Sequence, residues 1–328
     1  MTLSNHPSRR FCLQAIAAAA LMPGGMPAGF AQDKIARIVV AFPPGGPVDF
    51  VARTLAQQLG KELGRQVIIE NRAGANGTIA AEYVSRAAPD AQTLWLTSVG
   101  AVAINPSLYE KLPYDPVKDL TPVSLIVRNV EVLVVAADAP YSTGAEFVAA
   151  AKKSKTPLTL ASSGTGSVPH LAMELLADAA KTPMLHVPYK GAAPAITDVI
   201  AGHVDGFFGD VPGLLPFIKG GKLKPIGIAA SKRNPILPEV KTFEEMGIAG
   251  VDSDNWYGLF AAKGTPGDVL DAMNKAVRKS LGTESVRTRL LASGAEPAPS
   301  SPAELTALLA RDAAKWSAVV RAKKIKPD

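Results

Sequence analysis

Between Ile38 and Leu55 the chain reads IVVAFPPGGPVDFVARTL: a β-branched run, a Pro-Pro-Gly-Gly turn, then an apolar stripe at helical spacing through Val48, Val51, Leu55 and Leu59. A strand that turns tightly into a helix leaves the first backbone N–H groups of that helix without intrahelical acceptors. Those amides and the positive end of the helix dipole suit a carboxylate or another small anion. The stretch therefore predicts an anion-binding scaffold of α/β class before any catalytic residue comes into view.

The alternation continues. Strands are expected at 37–42, 66–70 and 93–99, with helices at 48–63 and 78–87. Such β–α–β–α–β order implies a parallel sheet with right-handed crossovers. Ligands of these sheets sit beyond the carboxyl ends of the strands. The loops 42–49, 71–77 and 98–105 share that edge. A second unit begins with the strand EVLVVA at 131–136, followed by a helix for which Ser142 is the expected N-cap. Further strands are expected at 158–161, 184–187, 204–208 and 225–230, and helices at 168–180, 193–201 and 213–219. A strand at 256–261 and helices at 266–281 and 302–322 close the chain. The loop SSGTGS at 162–167 repeats the device of PPGG without repeating its sequence. Two such loops facing each other would set two helix N-termini around one anion, as a hinged clamp.

The first 31 residues read as a cleaved export signal. Arg9 and Arg10 form the charged region, Ala15 to Met22 the apolar one, and Gly29-Phe30-Ala31 a small-residue cut site before Gln32. The paired arginines leave a twin-arginine and a general secretory route both open, and the expected destination is the periplasm. Cleavage lowers the formal charge from +6 to +4, with 33 Lys and Arg against 29 Asp and Glu. It also removes Cys12, the only cysteine, so no disulfide or thiol chemistry is expected in the mature chain. The remaining positive charge is dispersed and not interleaved with aromatics, which argues against nucleic acid as a partner.

The candidate side chains favour binding over catalysis. Asp49, in the first helical turn, either orients a ligand amine or water or complements the helix dipole. The 162–167 loop lacks the Gly-Lys-Ser/Thr ending of a Walker loop, and Pro169 stands at the third glycine of a dinucleotide fingerprint. Its hydroxyls and amides either bind a ligand or simply cap the helix. His170, His186 and His203 have no metal-ligand spacing, so no metal or cofactor is expected. His170, in the first turn after the 162–167 loop, is read as a structural histidine, with a pocket or loop-orienting role as the alternative. Tyr189 and Asp210 follow strands and lie at the binding edge. No Ser–His–Asp order and no paired-carboxylate spacing is visible, which disfavours a secreted hydrolase.

With these residues assembled, the chain resembles the tripartite tricarboxylate transporter substrate-binding proteins, the TctC type known as Bug proteins in Bordetella-like bacteria. The likeness runs through FPPGGPVDFVAR at 42–53, IIENRAGANG at 68–77 and INPSLYEKLPYDPVKDLTPVSLI at 104–126. It continues through SSGTGSVPHLA at 162–172, HVPYKGAAPAITDVIAGHVD at 186–205, GKLKPIGIAASKR at 221–233 and WYGLFAAKGTP at 256–266. The resemblance implies a two-domain, hinged periplasmic binding protein of type II, each domain a mainly parallel sheet flanked by helices. Domain 1 would hold 32–132 and 252–328, and domain 2 133–251.

It also implies a monomeric receptor that carries a small carboxylate ligand to membrane permease subunits. A receptor that reports to a sensor kinase is the alternative. Carried over by position, one wall of the site would use Phe42, Pro44, Gly45, Gly46 and Asp49. The rest would come from Ser98, Ala101, Ser163, Gly164, Thr165, Gly166, His170, Tyr189 and Asp210. Two departures from the family pattern bear on ligand choice. Pro47-Val48 stands where Ser-Thr is common, and Phe208-Gly209-Asp210 stands where Phe-Asp-Asn is common.

Overall fold

Three apolar, β-branched runs pair in parallel at the heart of the first sheet: β1 (Ala36–Val40), β2 (Val67–Asn71) and β3 (Thr93–Ser98), with β1 in the middle. The computed structural model describes residues 35–327. The expected export signal, with Arg9, Arg10 and Cys12, lies outside the described residues. Helix α1 (Pro47–Leu63) joins β1 to β2. Pro47 presets φ at its first position, and Val51, Leu55 and Leu59 are fully buried, each burial contributing roughly 1.5–3 kcal/mol. Gly64 ends the helix at φ 61°, a left-handed cap that glycine adopts without strain. Helix α2 (Thr78–Ser85) leads into β3, and a π-turn at Gly100–Ile104 runs into the short α3 (Asn105–Leu108).

The chain then forms β4 (Leu120–Asn129), a ten-residue strand that the sequence pattern did not announce. A single residue, Val130, separates it from β5 (Glu131–Ala136), which belongs to a second sheet. There α4 (Gly144–Lys153) is capped by Thr143, whose hydroxyl accepts from the Glu146 amide. Ser142, the expected cap, lies one residue earlier and donates its amide to the Glu146 carboxylate. The sheet continues through β6 (Leu158–Ser162), α5 (Val168–Ala180), β7 (Met184–Pro188), α6 (Ala192–Ile200), β8 (Gly206–Asp210), α7 (Val211–Lys219) and β9 (Leu223–Ile228). The chain returns to the first sheet with β10 (Asn255–Ala262), then α8 (Gly267–Gly282), α9 (Glu284–Ser293), β11 (Glu296–Pro297) and α10 (Pro302–Lys323).

The first sheet has the order β11-β4-β10-β3-β1-β2 and the second β7-β6-β8-β5-β9. In the first, β10 and the two-residue β11 run against the other strands; in the second, only β5 does. Both β5 and β10 are the first strands after a passage from one sheet to the other. Everything else keeps one direction, so the loops after β1, β3, β6, β7 and β8 gather at the carboxyl edges of their sheets. The packing of the first sheet includes the buried Trp95, Trp256 and Trp316, and Val168 and Leu171 of α5 enter the same cluster. The two sheets are thus held against each other along these edges.

Candidate functional site

The turn after β1 and the loops after β6 and β7 meet at one small cavity of about 40 Å³. Phe42, Pro44, Gly46 and Val48 line one wall; Ser163, Val168, Ala192 and Ala193 line the facing one. Ser98 at the end of β3, Asp210 at the end of β8 and Asn255 at the start of β10 complete it. An engineered cavity that holds benzene measures about 150 Å³, so this space suits water better than a multi-carbon acid. Phe42, Pro43 and Ser163 also line an outer chamber of about 500 Å³ shared with Asn76, Gly164, Thr165 and Tyr189. A ligand of several carbons at the inner position therefore requires the two walls to part.

Besides α7, whose N-cap is Asp210, three helices begin at the inner cavity with amide-bearing residues in its lining. Gly46 is the N-cap of α1 and offers no side-chain cap, so the amides of Val48 and Asp49 lack intrahelical acceptors. In α5 the Ser167 hydroxyl accepts from the His170 amide, which leaves the Val168 amide. Gly191 caps α6 at φ 116° with no side chain, leaving the amides of Ala192 and Ala193, while Pro194 has none to give. Each dipole contributes ~0.3–1 kcal/mol toward an anion when exposed and up to ~2 kcal/mol when partly buried. Backbone donors line the inner cavity, and Lys190 adds a cation to the outer chamber.

Asp49 turns away from the inner cavity. Its carboxylate accepts from the Gly45 amide at 3.0 Å, from Arg53 Nε at 2.8 Å and from Asn71 Nδ2 at 2.9 Å. Burial pushes its pKa up, but the Arg53, Gly45 and Asn71 hydrogen bonds outweigh burial and hold it below the ordinary value. Of the two readings of Asp49, the geometry matches a brace for the turn. Gly45, at φ 81°, likewise faces Asp49 with its amide.

Ala101 is fully buried behind the site, and a Cβ on Gly77 would stand 2.9 Å from the Ala101 methyl. Gly166 gives its carbonyl to Asn76 Nδ2 at 2.8 Å and its amide to His170 Nδ1 at 3.2 Å. His170 itself stacks on His186 with ring centroids 3.7 Å apart, and His186 Nε2 lies 2.6 Å from Ser162 Oγ. His170 thus fixes the loop rather than lining the cavity. The Tyr189 hydroxyl donates to Asp198 at 2.6 Å, and burial followed by that carboxylate pushes its pKa up to about 12.

Asp210 stands beside a fully buried acid. Glu131 and Asp210 are register partners across β5 and β8, and Asn255 Nδ2 donates to both, at 3.0 Å and 2.8 Å. Burial pushes the Asp210 pKa up to about 6, against hydrogen bonding that favours its charge. Burial, then the Asp210 charge, also pushes the Glu131 pKa well above its ordinary value.

The sequence pattern did not single out Val48, Val168, Ala192, Ala193, Asn255, Asn76 or Glu131 as site residues. For the pair 192–193 a signal existed: Gly191-Ala-Ala-Pro after a strand is the same punctuated helix start as PPGG. Asn255 and Glu131 carry no local signal, because they meet only through sheet pairing. Among the described residues no group of three or more His, Cys, Asp or Glu is placed to hold a metal ion, and no helix is long and apolar enough to cross a membrane.

Residues 51–325 match the tripartite tricarboxylate transporter family receptor. Three solved structures are similar over nearly the whole chain. The periplasmic binding protein BugD is 32% identical with a TM-score of 0.84, covering 90% of this chain and 99% of that one. MatC from Rhodopseudomonas palustris, solved with bound malate, is 36% identical with a TM-score of 0.82, covering 87% and 98%. An R. palustris protein solved with adipate is 32% identical with a TM-score of 0.86, covering 89% and 98%. The chain belongs to the tripartite tricarboxylate transporter receptor family: it is a solute-binding protein of the periplasmic type, in a family of binding proteins.

Proposed function

We propose that the protein captures a small carboxylated molecule between its two sheets and delivers it to a tripartite tricarboxylate-type permease. The observation that carries this reading is the convergence of three helix starts, at Val48, Val168 and Ala192–Ala193, on one cavity. One carboxylate there meets several unsatisfied amides and three dipoles at once. Malate in MatC and adipate in a second relative support a carboxylate ligand.

In this reading 32–132 with 252–328 form one lobe and 133–251 the other. The hinge lies at Val130 and at the approach to Asn255, where the chain changes sheets. Phe42, Pro44, Gly46, Ser98, Ser163 and Asp210 touch the ligand in the inner cavity. Gly164, Thr165 and Tyr189 form the outer chamber. Gly45, Asp49, Ala101, Gly166 and His170 hold the walls in shape. Capture needs no bond to be made or broken, so a binding role suffices.

Titration calorimetry of the mature chain against mono-, di- and tricarboxylates tests the proposal. One acid should bind at one per chain. At 100 times its dissociation constant it should also raise the unfolding free energy by about 2.7 kcal/mol. Absence of binding by every acid, or hydrolysis of an ester or amide added in its place, contradicts it.

A further inference from the structure

The cavity lining combines amide donors with one carboxylate acceptor, Asp210. Val48, Val168, Ala192 and Ala193 bring helix-start amides to the cavity, and Asp210 and Asn255 line it too. The Asn255 amide nitrogen is spent on Glu131 and Asp210, and its oxygen accepts from the Trp256 amide at 2.9 Å. It has no donor left for a ligand.

A second observation points the same way. The hydroxyl of Tyr257 and the carboxyl of Glu131, both on fully buried residues, face the Asp210 carboxylate. Tyr257 is the cross-strand partner of Ser98, so the two project to the same side of the sheet, and Ser98 lines the cavity.

We propose, on the basis of the receptor reading above, that Asp210, backed by Glu131, Asn255 and Tyr257, selects a ligand carrying a hydroxyl or ammonium group besides its carboxylate. The carboxylate meets the helix amides; the donor group meets Asp210. A second carboxylate at that position would instead face a like charge in a poorly solvated cavity, where repulsion is strong. The ionisable groups acting on Asp210 are Glu131 from β5 and Tyr257 from β10. Burial pushes both up from their ordinary values, and Asp210, at about 6, carries the charge at pH 7.5.

Calorimetry at pH 7.5 with matched acids tests this: succinate, malate and aspartate; glutarate, 2-hydroxyglutarate and glutamate; phenylacetate, mandelate and phenylglycine. In the series that binds, the hydroxy or amino member should bind at least about tenfold tighter than the plain acid, the scale of a hydrogen bond to a charged acceptor. Asp210→Asn should shrink that ratio to less than about threefold. Lowering the pH to 5 should shrink it in the unmutated chain too, which keeps the test independent of how the variant folds. Equal binding of plain and substituted acids at pH 7.5, or an unchanged ratio in Asp210→Asn, overturns the selectivity and leaves the receptor reading standing. Absence of binding by all nine acids overturns both.

Discussion

Asn76 reaches across the cleft: its side-chain amide, carried by the turn after β2, donates to the Gly166 carbonyl in the loop after β6 at 2.8 Å. The same nitrogen donates to Asn105 Oδ1 at 2.9 Å. Asn76 sits at φ 47° and ψ 42°, the left-handed region that asparagine tolerates better than most residues. Local backbone and cross-cleft bond are thus matched in one side chain.

Asn76→Gly keeps that backbone and removes the clasp. A net hydrogen bond of ~0.5–1.5 kcal/mol corresponds to a loss of about 2–12-fold in ligand affinity. Calorimetry reads the affinity, and small-angle scattering reads closure. Unchanged affinity and unchanged dimensions would remove Asn76 from the closing mechanism.

Asp49→Ala should destabilise the protein by about 1–3 kcal/mol, because it strips an acceptor from the Gly45 amide and from Asn71. Chemical denaturation measures it. The sign with pH follows from the depressed pKa of Asp49. Its contribution is present above the unfolded aspartate value of about 3.9 and disappears as pH falls through the lower folded value. The gap between wild type and variant should therefore close under acid conditions. A gap constant down to pH 2.5 would mean the carboxylate charge is not what holds the turn.

Gly191 packs against Pro43 across the same cleft. A Cβ there would lie 3.1 Å from Pro43 Cγ, on a backbone at φ 116°. Gly191→Ala should cost ~1–3 kcal/mol in backbone strain and push the walls apart, so that ligand affinity falls along with the melting temperature. Loss of melting temperature with intact affinity would restrict Gly191 to a folding role.

Asp210 predicts the opposite pH behaviour from Asp49. Its folded pKa of about 6 lies above the unfolded value, so its contribution is fully present below the unfolded pKa and lost as pH rises through 6. Asp210→Asn should raise the ligand-free melting temperature at pH 7.5 relative to wild type, and the gain should vanish near pH 4. An equal effect at both pH values would show that Asp210 does not titrate in this window.

These relationships explain what was legible beforehand. Helix starts are local: proline, glycine and the first apolar residues sit within one turn, so 48–63 and 168–180 could be read directly. Strand β4 hid because Pro122 interrupts it and only Val130 separates it from β5. LTPVSLIVRNVEVLVVA reads as one apolar stretch, although the chain changes sheets in its middle. Helix α9 buries only Val286 and Leu290, too few for a clear stripe. At the site, amide-bearing turns could be found from punctuation. Glu131 looked like an ordinary strand start until pairing set it beside Asp210 and Asn255, partners remote in sequence.

The most direct measurement is a crystal structure of the mature chain with the tightest-binding acid from the calorimetric series. The account predicts the ligand carboxylate within hydrogen-bond distance of the Val48 amide and of the Ala192 or Ala193 amide, with Asp210 at the far end. An acid bound elsewhere, or held by lysine or arginine side chains while the three helix starts stay unoccupied, would contradict it.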